Sequence, residues 1–439
     1  MSSGQSAYAQ PARTAFRRAT APQPARAIAG AGLLSLAMVV SGLLTYAFLV
    51  LAARTLGPTD YGRIGVLWGA MFIVAIVLFR PLEQTASRSI SDRRVRGDEV
   101  RTVIGSVCRL AALLIAVVGT AAAAGWSQLA GRLFGGDSTL MALLVVGIGF
   151  YGLSYVVRGL VGGVLWFDGY GINLVADGLG RLLLALPLVV VASRGAAGAA
   201  IAGAGLLGAL APLLVGRHRL RPLLANGGGT PFRTRQATRF ALPAATIAAA
   251  DQLLINGAPL LVMLGGGTHA TRAAGVAFAA TMLVRAPVYV FQGVAAALLP
   301  NLTHLNATDG FRRLEREVAR TARLLVGAAV AVAVACALGG PLGMRLLYGQ
   351  EYRASRLVFA ALGIGVALYL LAATLSQALL AIDAGRRAAV AWALSGVVLV
   401  GAYAALPGGE VTRVAVAFAV ASLVLLLGLA GLVHRGART

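Results

Sequence analysis

The sequence predicts an all-α integral membrane protein with about twelve transmembrane helices, arranged as two six-helix lobes around a central cavity. Of its 439 residues, 59% are hydrophobic and only 12% are charged. Ordinary soluble domains contain about 25% charged residues, and a soluble fold could not bury this much apolar surface. Because one crossing of the hydrocarbon takes about 20 apolar residues, the chain has room for about twelve spans and little else.

Twelve apolar stretches support this prediction along the chain. The first is about 26 residues long, whereas a cleavable signal peptide has about 7 to 15 apolar residues, so we expect it to remain as the first span. Short polar segments separate the stretches, which leaves no room for a large domain outside the membrane. The predicted spans are residues 28–53, 62–82, 103–124, 139–163, 171–193, 196–216, 241–265, 273–299, 323–344, 355–380, 389–406 and 413–433.

Prolines and glycines inside the spans predict kinks and close helix contacts. Pro187, Pro243 and Pro259 remove hydrogen bonds from their helices, which favours bends at these points. Gly65 and Gly69 have the four-residue spacing that lets two membrane helices approach closely. We therefore expect bent helices, whereas the glycine spacing allows close packing but indicates it only weakly in so glycine-rich a chain.

The order of the spans predicts an N-lobe at residues 28–216 and a C-lobe at residues 241–433. Residues 217–240 form the cytoplasmic connection between them. We expect the tails, 1–27 and 434–439, in the cytoplasm, the first of them disordered because it lacks apolar periodicity. A Leu-Gly turn followed by Arg and a Gly-Val pair occurs after span one and again after span seven, which predicts two related repeats.

The arginines predict the orientation of the chain in the membrane. When residues at the first two positions of a span are counted with the adjoining loop, 24 of the 38 basic residues lie in the two tails and the even-numbered loops, nine in the odd-numbered loops and five inside spans. The positive-inside rule therefore places both termini in the cytoplasm. The net charge of +23 would suggest nucleic acid for a soluble protein. Here the arginines form short clusters between apolar stretches, so we expect no nucleic-acid partner.

No arrangement of residues in the sequence predicts catalysis. The four histidines are scattered over loops and tails, and Cys108 and Cys336 both lie inside apolar stretches. These patterns do not suggest metal ligands or a disulfide framework. The predicted outer loops are too short for a catalytic domain. We therefore expect a protein that is not an enzyme and that uses no metal and no cofactor.

Polar residues near the predicted midplane are the candidate substrate site, because buried charge is costly in a membrane and generally faces a cavity or a partner. Arg285 lies deep in span eight and Asp251 deep in span seven. Gln252 and Asn256 continue a polar stripe from Asp251 at helical spacing. Arg181 reaches the midplane on span five.

Each of these charges also has a structural interpretation. Asp177 and Arg181 are four residues apart and could neutralise one another. Asp251 and Arg285 could form a buried pair that holds two helices together. We expect three further arginines to extend their guanidinium groups to the cytoplasmic surface: Arg80, Arg109 and Arg158.

Several segments resemble one family, the polysaccharide transporter (O-antigen flippase) branch of the multidrug/oligosaccharidyl-lipid/polysaccharide exporter superfamily. Its opening turn is similar to AARTLGPTDYGRIGVL at 52–67, and its second span and basic loop to LEQTASRSISDRRVRGD at 82–98. AALLPNLTHL at 296–305, followed by FRRLEREVART at 311–321, resembles the exit of its span eight. LLYGQEYRAS at 346–355 resembles its turn between spans nine and ten. The segments occur in the family's order over both halves.

The resemblance implies a transporter that moves a polyprenyl-pyrophosphate-linked oligosaccharide outward by alternating access, in a bacterial plasma membrane. The partners it implies are that lipid, membrane lipids, and a polysaccharide polymerase or glycosyltransferases. Arg285 and Arg181 would attract the pyrophosphate, and Asp251 would serve as a coupling-ion site or counter-charge. Three alternatives stay open: a multidrug exporter of the same fold, a major-facilitator transporter and a non-transporting scaffold for polysaccharide synthases. Major-facilitator transporters carry a G-x-x-x-D-R-x-G-R pattern in the loop between spans two and three, and this sequence lacks that pattern.

Overall fold

The computed structural model describes residues 24–225, 234–267, 269–285, 311–381 and 385–436. In these ranges every regular element is a helix, and we number the helices in chain order. They are α1 (24–56), α2 (58–96), α3 (Arg101–Ala124), α4 (Trp126–Phe134), α5 (Ser138–Gly163), α6 (Phe167–Leu184), α7 (Arg194–Val215), α8 (Arg217–Ala225), α9 (Thr234–Asn256), α10 (Ala258–Leu264), α11 (270–285), α12 (Phe311–Tyr348), α13 (Arg356–Ala381), α14 (Gly385–Ala405) and α15 (Glu410–Gly436).

The helices confirm the predicted fold class of an all-α integral membrane protein. Among the described residues, nine helical stretches are long and apolar enough to cross a membrane, or ten if one bent pair is a single span. The first stretch, Gly32–Arg96, contains both α1 and α2. Predicted span eight is described only as far as residue 285, so the total of twelve stays a prediction.

The bend between α1 and α2 lies at Gly57, in the turn that the sequence predicted. Its φ of 68° and ψ of 172° place the backbone in a region that only glycine adopts readily. Pro58 follows and begins α2 with a fixed φ, at a position where its missing N–H costs nothing. The chain therefore reverses direction at Gly57 and returns through the membrane.

Two predicted spans differ from the helices observed. Span five was expected to reach residue 193, but α6 ends at Leu184, and a short 3-10 turn, Leu186–Val189, contains the helix-breaking Pro187. Span seven is broken at Gly257 into α9 and α10, which meet at an angle of 76°. A Cβ atom on Gly257 would lie 2.2 Å from the Leu253 carbonyl oxygen, so this bend requires glycine.

The helices pack into an N half (α1–α7) and a C half (α9–α15), with contacts concentrated inside each half. The exact lobe boundaries stay a prediction. The expected tail and connection are partly helical, since α1 begins at Pro24, α8 lies in the connection and α9 begins at Thr234. Residues 1–23 and 226–233 lie outside the described ranges.

The two halves touch at the end of the molecule that carries the Gly57 turn, which we call the α1–α2 end. A Cβ atom on Gly62 of α2 would lie 1.9 Å from the Thr271 carbonyl oxygen of α11. A Cβ atom on Gly275 of α11 would lie 1.9 Å from the Pro58 carbonyl oxygen. The two backbones are therefore in direct contact, with no space for any side chain between them. Farther along α2, Gly69 gives the same close approach to α9.

Hydrogen bonds across the halves surround this backbone contact. The Tyr352 hydroxyl of the C half donates to the Ala53 carbonyl at 2.9 Å. The Arg54 guanidinium of the N half donates to the carbonyls of Leu346 and Leu347, in the last turn of α12. These carbonyls have no partner inside their own helix, so Arg54 caps a helix of the opposite half.

A separate ion-pair network fixes the same end of the N half. Asp60 of α2 pairs with Arg63 at 2.6 Å and with Arg194 of α7 at 3.2 Å, and Arg194 pairs with Asp137 at 2.5 Å. Asp137 also caps α5 by accepting from two of its backbone amides. Burial by itself would raise the pKa of Asp137, but the hydrogen bonds from Arg194 and the α5 amides lower it. The network ties α2, α5 and α7 together.

Candidate substrate site

Four of the predicted site residues form one hydrogen-bonded chain in the C half. The Arg285 guanidinium donates to Asn256 Oδ1 at 2.8 Å, and Asn256 Nδ2 donates to Gln252 Oε1 at 2.7 Å. Gln252 Nε2 then donates to Asp251 Oδ2 at 2.9 Å. The stripe on α9 is continuous because Gln252 and Asn256 are four residues apart on one helix face. A cation and an anion on different helices are thus joined by two side-chain amides.

Asp251 and Arg285 do not contact each other directly. No ion pair forms between these two described residues, although the sequence suggested a buried pair as one alternative. The other carboxylate oxygen, Asp251 Oδ1, accepts from the Tyr369 hydroxyl of α13 at 2.5 Å. Each oxygen of Asp251 therefore has a partner without Arg285.

One nitrogen of the Arg285 guanidinium group, NH1, makes all of its contacts with described residues. The NH1 nitrogen donates to Asn256 Oδ1 and to the Ile255 carbonyl at 3.3 Å, and it lies 3.8 Å from the Met282 sulfur. The Ile255 carbonyl is available because α9 breaks at Gly257. No partner of the Nε and NH2 nitrogens is found in the part of the chain that the structure describes. Together these two nitrogens form the edge of a guanidinium group that binds phosphate or carboxylate through two parallel hydrogen bonds.

Arg285 also lines a cavity in the C half. Arg285 is the single charged residue of the described lining, and Thr281 and Tyr369 are its other polar members. The remaining lining residues are apolar: Leu254, Ile255, Ala258, Leu261, Val284, Leu362, Val366, Leu399, Val414 and Phe418. A cation in apolar surroundings attracts an anion strongly, because little water competes with it.

Arg80 brings a second cation towards this region from the N half. The sequence suggested that its side chain reaches the membrane surface. In the structure Arg80 is exposed, yet it lies close enough to Asp251 of α9 and to Glu83 for their charges to interact. It forms no hydrogen bond or ion pair with any residue that the structure describes. Arg80 therefore lies near Asp251 from the N half, whereas Arg285 of the C half is joined to Asp251 only through Asn256 and Gln252 among the described contacts.

Arg181 lies in a different environment, inside the N half. Its side chain is only 2% exposed, and it forms an ion pair with Asp177 at 2.7 Å, as the four-residue spacing allowed. It also donates to Thr45 and to the Tyr151 hydroxyl, both at 2.8 Å, and lies over the Trp68 ring. These contacts occupy the NH1 and NH2 nitrogens, while Nε is buried without a partner among the described residues. Because the side chain is almost fully buried, Arg181 is not accessible to a ligand in this conformation.

The N half also contains a polar cluster that sequence reasoning missed. Arg158, which was expected to reach the surface, turns inward and donates to Asn173 at 2.5 Å. Asn173 donates to Ser154 and to the Gly208 carbonyl. A polar stripe at helical spacing on α6 was the available signal, formed by Tyr170, Asn173, Asp177 and Arg181. Glu83 accepts from the Tyr170 hydroxyl at 2.7 Å, which joins α2 to this stripe.

We expect Asp177→Ala to reduce the amount of folded protein in the membrane severely. The change would leave the Arg181 charge buried beside Tyr151 and Thr45 without its anion, which costs about 3 to 5 kcal/mol. Asp168→Ala is the matched control, since Asp168 is an exposed acid in the first turn of the same helix. Abundance would be measured by fluorescence-detected size exclusion. Normal abundance of Asp177→Ala, with Asp168→Ala also normal, would contradict a structural role for the pair.

Solved structures similar to this chain include membrane transporters. An inward-facing multidrug resistance MATE family transporter of the MOP superfamily has a TM-score of 0.68 and 16% identity, over 91% of this chain and 98% of its own. The lipid II flippase MurJ, in an inward closed conformation, has a TM-score of 0.65 and 15% identity, over 92% of this chain and 87% of its own. The chain therefore has the fold of MOP superfamily transporters.

Relatives by sequence come from mycobacteria. An uncharacterized protein of Mycobacterium bovis is 29% identical over 330 residues, which is 74% of this chain and 73% of that protein. An uncharacterized protein of Mycobacterium tuberculosis is 28% identical over 374 residues, covering 81% of this chain and 78% of that protein. No protein-family model matches the sequence. The chain is a multi-pass membrane protein with bacterial relatives.

Proposed function

We propose that this protein is a flippase that moves a polyprenyl-pyrophosphate-linked oligosaccharide from the cytoplasmic to the outer leaflet by alternating access, in cell-surface polysaccharide biosynthesis. The observation that carries the proposal is Arg285, the single charged residue in the described lining of an apolar cavity, whose Nε and NH2 nitrogens have no partner among the described residues. A pyrophosphate offers adjacent oxygens to such an edge. The similar fold of the lipid II flippase MurJ supports the same class of substrate.

The charged side chains near the candidate site favour an anionic substrate over a cationic one. Arg80 and Arg285 approach from the two halves, while both carboxylate oxygens of Asp251 already accept hydrogen bonds. An anion entering between the halves would meet two guanidinium groups. A cationic drug would meet the same groups at a cost, because like charges in a low dielectric repel strongly.

A multidrug exporter is the second candidate function. The MATE transporters of similar fold favour it, including the inward-facing structure with a TM-score of 0.68. An exporter of neutral or anionic drugs would also fit the charge of the site. A non-transporting scaffold is less well supported, because a scaffold has no use for a cation held at an apolar cavity.

The proposal includes a location and partners. We place the protein in the bacterial plasma membrane with both termini in the cytoplasm, on the basis of the arginine asymmetry. The α1–α2 end would then face outward, so the contact described above closes the outer side. Membrane lipids surround the helices, and a polysaccharide polymerase or glycosyltransferases would act before and after it. We propose no nucleic-acid partner and no cofactor.

Deletion of the gene tests the function. In a strain without a second flippase, we expect lipid-linked sugar intermediates to accumulate on the cytoplasmic leaflet while surface polysaccharide falls, because the intermediates cannot cross. Lipid extraction measures the intermediates, and surface staining measures the polysaccharide. Complementation with the wild-type chain and with Arg109→Ala should restore both quantities, since Arg109 is exposed and bonds only within its own helix among the described residues. Normal polysaccharide with altered drug sensitivity would favour the exporter.

A further inference from the structure

Three tyrosine rings meet where the two halves touch at the α1–α2 end. Tyr61 belongs to α2 of the N half, Tyr348 is the last residue of α12 in the C half, and Tyr352 lies between α12 and α13. The Tyr61 ring centroid lies 6.3 Å from that of Tyr348 and 5.8 Å from that of Tyr352. The centroids of the two C-half rings are 5.9 Å apart. All three side chains are fully buried, and we call them the tyrosine cluster.

The hydroxyl groups of the tyrosine cluster differ in their hydrogen bonds. Tyr352 donates to the Ala53 carbonyl of the opposite half at 2.9 Å. The Tyr61 and Tyr348 hydroxyls are buried without a hydrogen-bond partner among the described residues. Burial of a ring is favourable, but a hydroxyl buried without a partner gives up its hydrogen bonds to water, which is costly. Two hydroxyls of the cluster therefore oppose closure of this end, and one supports it.

Separation of the halves would relieve this cost, because the groups that cover Tyr61 come from the other half. Besides the two tyrosines of the C half, the Tyr61 ring contacts Phe278 of α11, at a centroid distance of 5.1 Å. Opening would remove all three ring contacts and let water reach the Tyr61 hydroxyl. Tyr348 would lose its contact with Tyr61 and keep that with Tyr352, so its hydroxyl should be uncovered less.

We propose that the unpaired hydroxyls of Tyr61 and Tyr348 are a conformational device that destabilises the closed α1–α2 end and so keeps it able to open. Tyr352 acts in the opposite sense, since its bond to Ala53 forms only when the halves are together. The inference rests on the alternating access of the proposed function, but it does not depend on which substrate is carried.

The close fit of the surrounding residues is the reason that such a device is useful. The backbones of α2 and α11 touch at Gly62 and Gly275. The Phe278 ring fills the space that glycine leaves at Gly65, where a Cβ atom would lie 2.7 Å from it. Many such contacts together favour the closed state strongly. A transporter must leave that state in every cycle, and hydration of the Tyr61 and Tyr348 hydroxyls makes this step less costly.

The first test measures the two states by double electron–electron resonance. Spin labels are placed at the exposed positions Ser138 and Gln350, in a chain whose two native cysteines are replaced by alanine. We expect Tyr61→Phe to raise the ratio of closed to open molecules about tenfold, because it keeps the ring and removes the unpaired hydroxyl. Tyr348→Phe should raise the ratio about threefold, since opening uncovers its hydroxyl less.

Two further variants give the change its sign and its control. Tyr352→Phe should lower the ratio about fivefold, because it removes a hydrogen bond that only the closed state makes. Tyr403→Phe is the matched control. Its hydroxyl is also buried without a partner among the described residues, but it lies against Gly265 and Arg413 within the C half. Because both states bury this hydroxyl alike, the ratio should not change.

The comparison is repeated in a background that weakens the closed state, so that an extreme wild-type ratio does not hide the shifts. Phe278→Leu provides this background, because it removes ring contacts with Tyr61 and Trp68 across the halves. Gly62→Val supplies the label distance of the open end. A lower ratio in Tyr61→Phe, or a ratio equal to that of its parent in both backgrounds, would overturn the proposal. The hydroxyl would then have a partner in the closed state or cost nothing there.

The result for the device can be separated from that for the proposed function, because the label distances need no substrate. If the ratios shift as expected while deletion of the gene leaves surface polysaccharide normal, the device stands and the proposed function fails. If deletion lowers surface polysaccharide while Tyr61→Phe leaves the ratio unchanged in both backgrounds, the function stands and the device fails.

Discussion

Arg285→Ala is expected to lower transport about 100-fold or more while leaving the amount of protein in the membrane unchanged. Two charge-assisted hydrogen bonds from the Nε and NH2 edge to a pyrophosphate contribute about 1.5 to 3 kcal/mol each. Folding should tolerate the change, because Asp251 keeps Gln252 and Tyr369 as hydrogen-bond partners. Arg285→Lys should recover transport only in part, since lysine lacks the planar fork of arginine.

The same experiment separates a substrate site from a structural pair. If Asp251 and Arg285 mainly stabilised the fold, each single alanine change would lower abundance, and the double change would restore abundance and transport together. Abundance and flipping would be measured side by side in reconstituted vesicles, with Arg109→Ala as the control for loss of an arginine. A fully active double alanine variant would remove Arg285 from the substrate site.

Gly62→Val is expected to abolish transport by a different route, because it holds the two halves apart. Its first added carbon would lie 1.9 Å from the Thr271 carbonyl oxygen, so α2 and α11 could not meet at the α1–α2 end. Most helix contacts lie within each half, so the protein should still insert. Spin labels at the exposed positions Ser138 and Gln350 should report a longer distance between the halves than in the wild type.

Gly119→Val provides the matched control for this change. Gly119 lies in the interior of α3, and a Cβ atom there meets no atom within 4 Å. The same substitution in a membrane helix should therefore leave transport and the label distance at wild-type values. Normal transport by Gly62→Val with an unchanged distance would show that this end does not need to close so tightly.

Much of the fold could be predicted from the sequence, because hydropathy and helix-breaking residues act over short stretches of the chain. The long apolar stretches, the turn at Gly57 and bends near Pro187 and Pro259 all follow from residues close together in the chain. The close crossing at Gly69 likewise agrees with its small-residue spacing. What could not be predicted was which polar residues meet across helices.

The depth of an arginine within its predicted span was not enough to assign its role. Arg158 lies near a membrane surface in the sequence, yet Asn173 and the Tyr155 ring draw it inward. Arg181 was grouped with Arg285 because both lie near the midplane, but the Arg181 side chain is almost fully buried and its NH1 and NH2 nitrogens are occupied by Thr45, Tyr151 and Asp177. The partners that decide these roles come from distant parts of the chain, so spacing within one helix could not reveal them.

The cap that Arg54 places on α12 has a consequence for the energetics of the transport cycle. The bonds to Leu346 and Leu347 lie at an exposed site, so water can replace each of them when the halves separate. When this end opens, water therefore replaces most of the hydrogen bonds that break. The close fit of the two backbones, rather than charge, distinguishes the closed state from the open one. The two states should differ by only a few kcal/mol, a difference that binding of one substrate molecule can reverse.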